Sequence, residues 1–167
     1  MTNAKHKSEL LSATVRAEID RWLAKYPDEH KQSALIAALT AAQHENDGSL
    51  TTDLMDVVAD YLGIPPIAAY EVASFYSMFD LEPVGRHKIS VCTNISCMLC
   101  GGEKVVEYIS TKLGIKLGQT TVDGKFTLNR EEECLAACAG APMMVVDGHY
   151  HENLTPETID AILDGLE

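Results

Sequence analysis

Basic residues are scarce in this chain. Thirteen Lys and Arg stand against 25 Asp and Glu in 167 residues, a formal net charge of −12. Nucleic-acid binding rests on clustered cations that neutralise phosphates, so no nucleic-acid partner is expected. Acidity at this level is first a solubility device, and it also suits docking on a basic protein surface. No stretch approaches the ~20 apolar residues of a membrane span, so no direct membrane insertion is expected. The first residues, Met1-Thr2-Asn3-Ala4-Lys5-His6-Lys7, hold no apolar secretory segment, and no arginine precedes Arg16 as a mitochondrial leader would need. A Gly-rich strand-to-helix fingerprint for a dinucleotide is missing, as is any nucleophile–base motif, so neither NAD binding nor independent catalysis is expected. Cysteines are few and odd in number, five in all. An odd count fits a reducing compartment such as the bacterial cytoplasm better than a disulfide framework. What is present is 46% hydrophobic residues, enough for a packed core.

The first eighty residues read as a small helical bundle. Leu10, Leu11, Val15, Ile19, Trp22 and Leu23 form one apolar stripe and predict a helix over 9–26, closed by Pro27-Asp28. Residues 33–43 are rich in Ala and Leu and helical by propensity. After the polar break at 44–48, Thr51 or Thr52 caps a third helix that Gly63 ends. Pro65-Pro66 suits the first turn of a fourth helix running to Phe75. The pattern changes near 81–85, which divides the chain into residues 1–82 and 83–167.

The second part alternates elements. Ile89 and Val91 mark a strand over 87–93 that delivers Cys92 at its end. A helix follows over 102–113, with Val105, Val106, Ile109 and Leu113 inward and Gly114 as its stop. Asp123-Gly124 predicts a hairpin with a type I′ turn, and Asp147-Gly148 a second hairpin. Residues 134–140 read as a loop or helical turn, and a last helix over 155–166 has Thr155 as cap and Pro156 at its first position. The fold class expected is α+β: a helical bundle, then a thin α/β sandwich of thioredoxin type.

All five cysteines lie between Cys92 and Cys138, as Cys92-x4-Cys97-x2-Cys100 and Cys134-x3-Cys138. Thiolates are soft ligands, and four converging ones favour an iron–sulfur cluster or zinc. Gly101, Gly102 and Gly140 stand beside them, where backbone comes close to something bulky. A helix start near Gly101 turns free N–H groups toward the sulfurs. Three chemistries compete on these residues. A [2Fe–2S] centre uses four thiolates. Zinc prefers two Cys-x2-Cys knuckles, which Cys134-x3-Cys138 matches poorly. A dithiol oxidoreductase built on Cys97-Met98-Leu99-Cys100 leaves Cys92, Cys134 and Cys138 without a role. The histidine-containing motif of a Rieske centre is absent. His149-x-His151 reads as exposed hairpin residues rather than ligands, and Glu131-Glu132-Glu133 as a solvated face that would disfavour a reduced cluster if it lay near one.

Several stretches resemble the NuoE-type [2Fe–2S] subunit of NADH:quinone oxidoreductase, respiratory complex I. They are Glu71-Val72-Ala73-Ser74-Phe75-Tyr76-Ser77-Met78-Phe79, Cys92-Thr93-Asn94-Ile95-Ser96-Cys97, Cys134-Leu135-Ala136-Ala137-Cys138, Ala141-Pro142-Met143 and His149-Tyr150-His151-Glu152-Asn153-Leu154-Thr155. The resemblance covers nearly the whole chain. It implies a thioredoxin-like ferredoxin fold and one [2Fe–2S] cluster held by Cys92, Cys97, Cys134 and Cys138. It also implies docking against a flavin- and NADH-binding subunit that carries the FMN, in a complex peripheral to the bacterial inner membrane. The expected function is one-electron transfer between that flavin and the cluster, with no catalytic residue here. The same kind of subunit in an NAD-linked hydrogenase or formate dehydrogenase fits equally, and the zinc-stapled interaction module and the thiol–disulfide oxidoreductase remain as other classes. Cys100 departs from the family pattern. A plant-type set of Cys92, Cys97, Cys100 and one distal cysteine is the rival, but Gly101-Gly102 leads at once into a periodic helix, which gives Cys100 little freedom to turn back. Cys100 is expected to be a small, partly buried thiol. The Ala141–Pro142 bond, just before a strand, is expected to be cis, and the bundle is expected to serve docking.

Overall fold

The computed structural model describes residues 10–130 and 134–166. The chain divides into two compact units, Met1–Pro83 and Val84–Glu167.

The first unit is helical. Helix α1 spans Ala13–Leu23, and the Ser12 hydroxyl caps it by accepting the Val15 N–H. It thus starts later than the stripe alone suggests, because the cap, not Leu10, sets the first turn. Residues Asp28–Ala34 form a 3₁₀ segment that leads into α2, Leu35–Glu45. Helix α3, Thr52–Leu62, is capped by Thr51 and closed by Gly63 at φ 69°, a left-handed conformation that glycine adopts without penalty. Helix α4 is Pro66–Phe75 with proline in its first turn. Ile19, Leu35, Leu39, Leu50, Val58 and Leu62 form a dry core. The buried Gln43 side chain donates to the Met78 carbonyl and accepts the Asp80 N–H, which ties the segment after α4 back to α2.

The second unit is a five-stranded mixed sheet with helices. Its strands are β1 His87–Val91, β2 Gln119–Thr120, β3 Phe126–Leu128, β4 Met144–Val146 and β5 His149–His151, in the order β2-β3-β1-β4-β5. Only β1 and β3 are parallel; the other pairs are antiparallel. Between β1 and β3 lie a short helix α5, Ile95–Leu99, and α6, Gly102–Leu113. Helix α7, Pro156–Asp164, closes the chain. Val105 and Ile109 of α6 and Ile159 and Leu163 of α7 share one core with Ile89, Val91, Leu128, Met144 and Val146. Lys112 joins the helices by reaching Asp160 at 3.0 Å and Asp164 at 2.8 Å, and the Tyr108 hydroxyl donates to Asp160. The fold class is therefore α+β, a helical part followed by a thioredoxin-like sheet.

The two Asp-Gly turns differ. At 147–148 both residues take positive φ, 51° and 80°, as a type I′ turn requires. At 123–124 only Gly124 does, so the expected type I′ turn is not formed there. The Asp123 carboxylate instead accepts the Thr121 hydroxyl and the Lys125 N–H, and the Gly124 N–H donates to the Thr121 carbonyl. These local bonds hold Asp123 out of the left-handed region.

The capping box at α7 is complete, with the Thr155 and Thr158 side chains each accepting the other's backbone N–H. Thr155→Ala removes one half of it and should lower stability by about 1 kcal/mol. A fall of several degrees in the thermal midpoint is the expected reading, and an unchanged midpoint would mean that the cap is redundant.

Candidate metal centre

Strand β1 is the anchor of the site. Its first residues pair with β3 and its last, Ile89 to Val91, with β4, and the Cys92 N–H continues that ladder by donating to the Met143 carbonyl at 3.2 Å. Cys92 is therefore fixed by the sheet. Cys97 is fixed differently, on α5, which Asn94 caps with its side chain. Both are buried, 3% and 1% exposed, and they pack with Met143, Leu135, Ala137, Ala141 and Val145. Cys134 and Cys138 lie on the segment before β4, the latter opening a 3₁₀ turn, Cys138–Gly140, and both are exposed. The Ala141–Pro142 peptide is cis, as expected.

The sulfurs gather pairwise. Burial alone pushes the Cys92 thiol up, yet it ends below its ordinary value. The opposing causes are N–H groups of Leu135 and Asn94 and hydrogen bonds from the thiols of Cys97 and Cys134. Cys97 is pushed up to about 11, by burial first and by its bond to Cys92 second, with the Met143 N–H and nearby Cys138 also acting on it. Cys92 and Cys97 pack together, and Cys134 and Cys138 lie near enough to bear on their titration. Among the described residues, no group of three or more His, Cys, Asp or Glu side chains lies close enough together to hold a metal ion. The donor chemistry fits an iron–sulfur group: soft sulfurs, two of them desolvated, and backbone N–H groups aimed at them.

Cys100 is elsewhere. It ends α5, donates its N–H to the Ser96 carbonyl, and is exposed rather than partly buried as expected. Cys100 is not among the residues packed with Cys92 and Cys97. His149 is exposed and His151 half-buried on β5. Glu131, Glu132 and Glu133 lie outside the described residues.

The three glycines have separate reasons. Gly101 takes φ 92° to start α6. Gly102 meets the ligand-bearing backbone: a Cβ there would stand 2.8 Å from the Cys92 carbonyl oxygen and 3.0 Å from that of Cys97. Gly140 is covered by the Glu152 side chain. Sequence reasoning missed α5 and Glu152. Asn94, a strong cap residue ahead of Ile95, was the available signal for the former; nothing local marks the latter.

A thioredoxin-like sheet carrying two cysteine pairs at one end defines an iron–sulfur ferredoxin class. The profile of the thioredoxin-like [2Fe–2S] ferredoxin family matches residues 19–167, and the chain belongs to that family. A subunit of the NADH-quinone oxidoreductase of Rhizobium meliloti is 45% identical over 153 residues, which are 92% of this chain and 89% of the relative. The corresponding subunit of the same enzyme from Rickettsia bellii is 46% identical, with 85% and 84% covered. The mitochondrial NADH dehydrogenase [ubiquinone] flavoprotein 2 of Dictyostelium discoideum is 44% identical over 90% of this chain, but the chain spans only 60% of that relative. Among solved structures, an NAD⁺-reducing [NiFe]-hydrogenase in the air-oxidised state aligns with a TM-score of 0.64 at 22% identity, over 75% of this chain and 22% of its own. That likeness concerns the fold. No helix among the described residues is long and apolar enough to cross a membrane.

Proposed function

We propose that this chain is the electron-transfer iron–sulfur subunit of an NADH dehydrogenase complex at the bacterial inner membrane, and that Cys92, Cys97, Cys134 and Cys138 hold one [2Fe–2S] cluster. The observation that carries the reading is the buried Cys92–Cys97 pair at the end of β1, in a chain whose relatives are named as subunits of that enzyme. When bound, the cluster supplies storage for one electron. The chain's own groups do the rest. Thiolates hold the iron, and the N–H groups of Asn94, Leu135 and Met143 stabilise negative charge on sulfur. Met143, Leu135 and Val145 restrict water around the two inner ligands. The flavin, the NADH site and the hydride chemistry belong to the partner. In the intact complex the cluster's EPR signal should therefore either develop under NADH or, after stoichiometric dithionite reduction, be discharged by NAD⁺, according to its midpoint; a signal that responds to neither would contradict exchange with that flavin. The proteins that co-purify separate an NADH:quinone oxidoreductase from an NAD-linked hydrogenase or formate dehydrogenase.

The helical unit serves docking in this reading. It carries no cysteine, yet Ile67, Phe75, Met78 and Leu81 are exposed, Phe75 by 79%. Aromatic anchors of this kind cost about 2 kcal/mol or more when truncated, roughly a thirtyfold loss of affinity. Phe75→Ala is expected to weaken association with the flavin-bearing subunit by that factor while leaving iron content unchanged. Equal affinity of the variant and the native chain, measured by titration of the isolated partners, would remove Phe75 from the interface.

A further inference from the structure

The segment that carries Cys134 and Cys138 has little regular structure of its own. It is held from the other side by the residues after β5. The Asn153 N–H donates to the Gly140 carbonyl at 2.7 Å, and the Leu154 N–H to the Pro142 carbonyl at 3.0 Å. Asn153 takes φ 52° to make this turn, a left-handed conformation that asparagine tolerates better than most residues. The turn lays the Glu152 side chain across Gly140. Its Cβ lies 2.5 Å from the place a Cβ on Gly140 would occupy, and its carboxyl group lies closer still. Gly140 is thus the residue that admits a carboxylate two positions from Cys138. Glu152 is exposed, and among the described residues its carboxylate makes no hydrogen bond or ion pair.

We propose that Glu152 sets the reduction potential of the cluster by holding an uncompensated negative charge against the Cys134–Cys138 loop. The inference rests on the ligand assignment above. Reduction adds one electron, and therefore one negative charge, to a centre already bound by four thiolates. A fixed carboxylate nearby opposes that addition and favours the oxidised form. At an effective dielectric constant of about 20, as for groups near a protein surface, a unit charge roughly 12 Å away biases the two redox states by about tenfold. The role is one of positioning a charge; Glu152 is not a ligand.

The test is an anaerobic redox titration of the full-length chain loaded with iron and sulfide, followed by EPR. Glu152→Gln keeps the shape and removes the charge. It is expected to raise the ratio of reduced to oxidised centre about tenfold at the native midpoint, a shift of about 59 mV for one electron, with iron content and g values unchanged. Glu152→Lys should move the midpoint further in the same direction, and 1 M salt should shrink both differences by screening. A Glu152→Gln midpoint within twofold in that ratio of the native one overturns the proposal. So does a Glu152→Gln chain that fails to retain iron, since the residue would then be structural. A native chain that binds no cluster would instead strike the ligand assignment, which keeps the two failures apart.

Discussion

Serine in place of Cys92, Cys97, Cys134 or Cys138, one at a time, is expected to strip most of the iron or to replace the EPR signal with an altered one. Cys100→Ser should leave both unchanged. The contrast follows from placement. Cys92 is locked by the β1 ladder and packs with Cys97, and Cys134 and Cys138 lie near enough to bear on the titration of that pair. Cys100 ends α5, exposed, beyond the packed pair. A serine hydroxyl is harder than a thiolate and far less readily deprotonated, so each true ligand position loses a soft anionic donor. The two inner positions should be the least forgiving, because a serine there also leaves a hydroxyl in a site closed to water. Iron analysis and EPR of the five single variants check this. Loss of the cluster in Cys100→Ser, together with retention in Cys134→Ser or Cys138→Ser, would replace the set with the plant-type one.

Gly102→Ala should damage the centre without touching a sulfur. Its Cβ would meet the carbonyl oxygens of Cys92 and Cys97 at 2.8 and 3.0 Å. Both are backbone atoms, one fixed by the sheet and the other by α5, so neither can swing aside as a long side chain would. Overpacking of this kind costs about 1–3 kcal/mol. Part of that cost falls on the spacing between the two inner ligands, so the rate of iron loss to a chelator should rise roughly tenfold or more. Gly101→Ala is the informative control. It meets no atom within 4 Å but requires a left-handed alanine at φ 92°, so it should cost stability through backbone strain while sparing the ligand spacing. Equal chelator resistance of Gly102→Ala and the native chain would mean that the ligand backbones yield freely.

Much of the fold could be read from the chain because its signals are local. Thr51, Gly63, Gly114 and Thr155 each mark a helix end through a bond or a φ value that neighbouring residues decide. The 3₁₀ segment at Asp28–Ala34 and the short helix α5 left no periodic stripe, being too short to show one. The turn at 123–124 failed for another reason. Asp123 and Asp147 precede glycine alike, but Asp147 is engaged by His87 at 2.6 Å and by the Lys88 N–H, across about sixty residues of sequence. Asp123 is satisfied by Thr121 and Lys125 beside it. Tertiary partners therefore chose between two turns that the dipeptide alone leaves equal. The same distinction runs through the site. Cysteine spacing pointed to a metal, but the contact of Gly102 with the Cys92 and Cys97 backbones, and the lay of Glu152 over Gly140, come from chain segments that meet only in the fold.

A one-electron iron–sulfur centre in the five-cysteine stretch is tested most directly by anaerobic purification of the native chain. Iron and acid-labile sulfide are counted per chain, and a stepwise reduction is followed by optical absorption and EPR. The expected result is a red-brown protein with two iron and two sulfide, as the family's [2Fe–2S] designation requires, that takes up one electron and then shows a rhombic signal. A colourless protein containing zinc, or one that takes up two electrons through an exchangeable dithiol and holds no iron, would contradict the account.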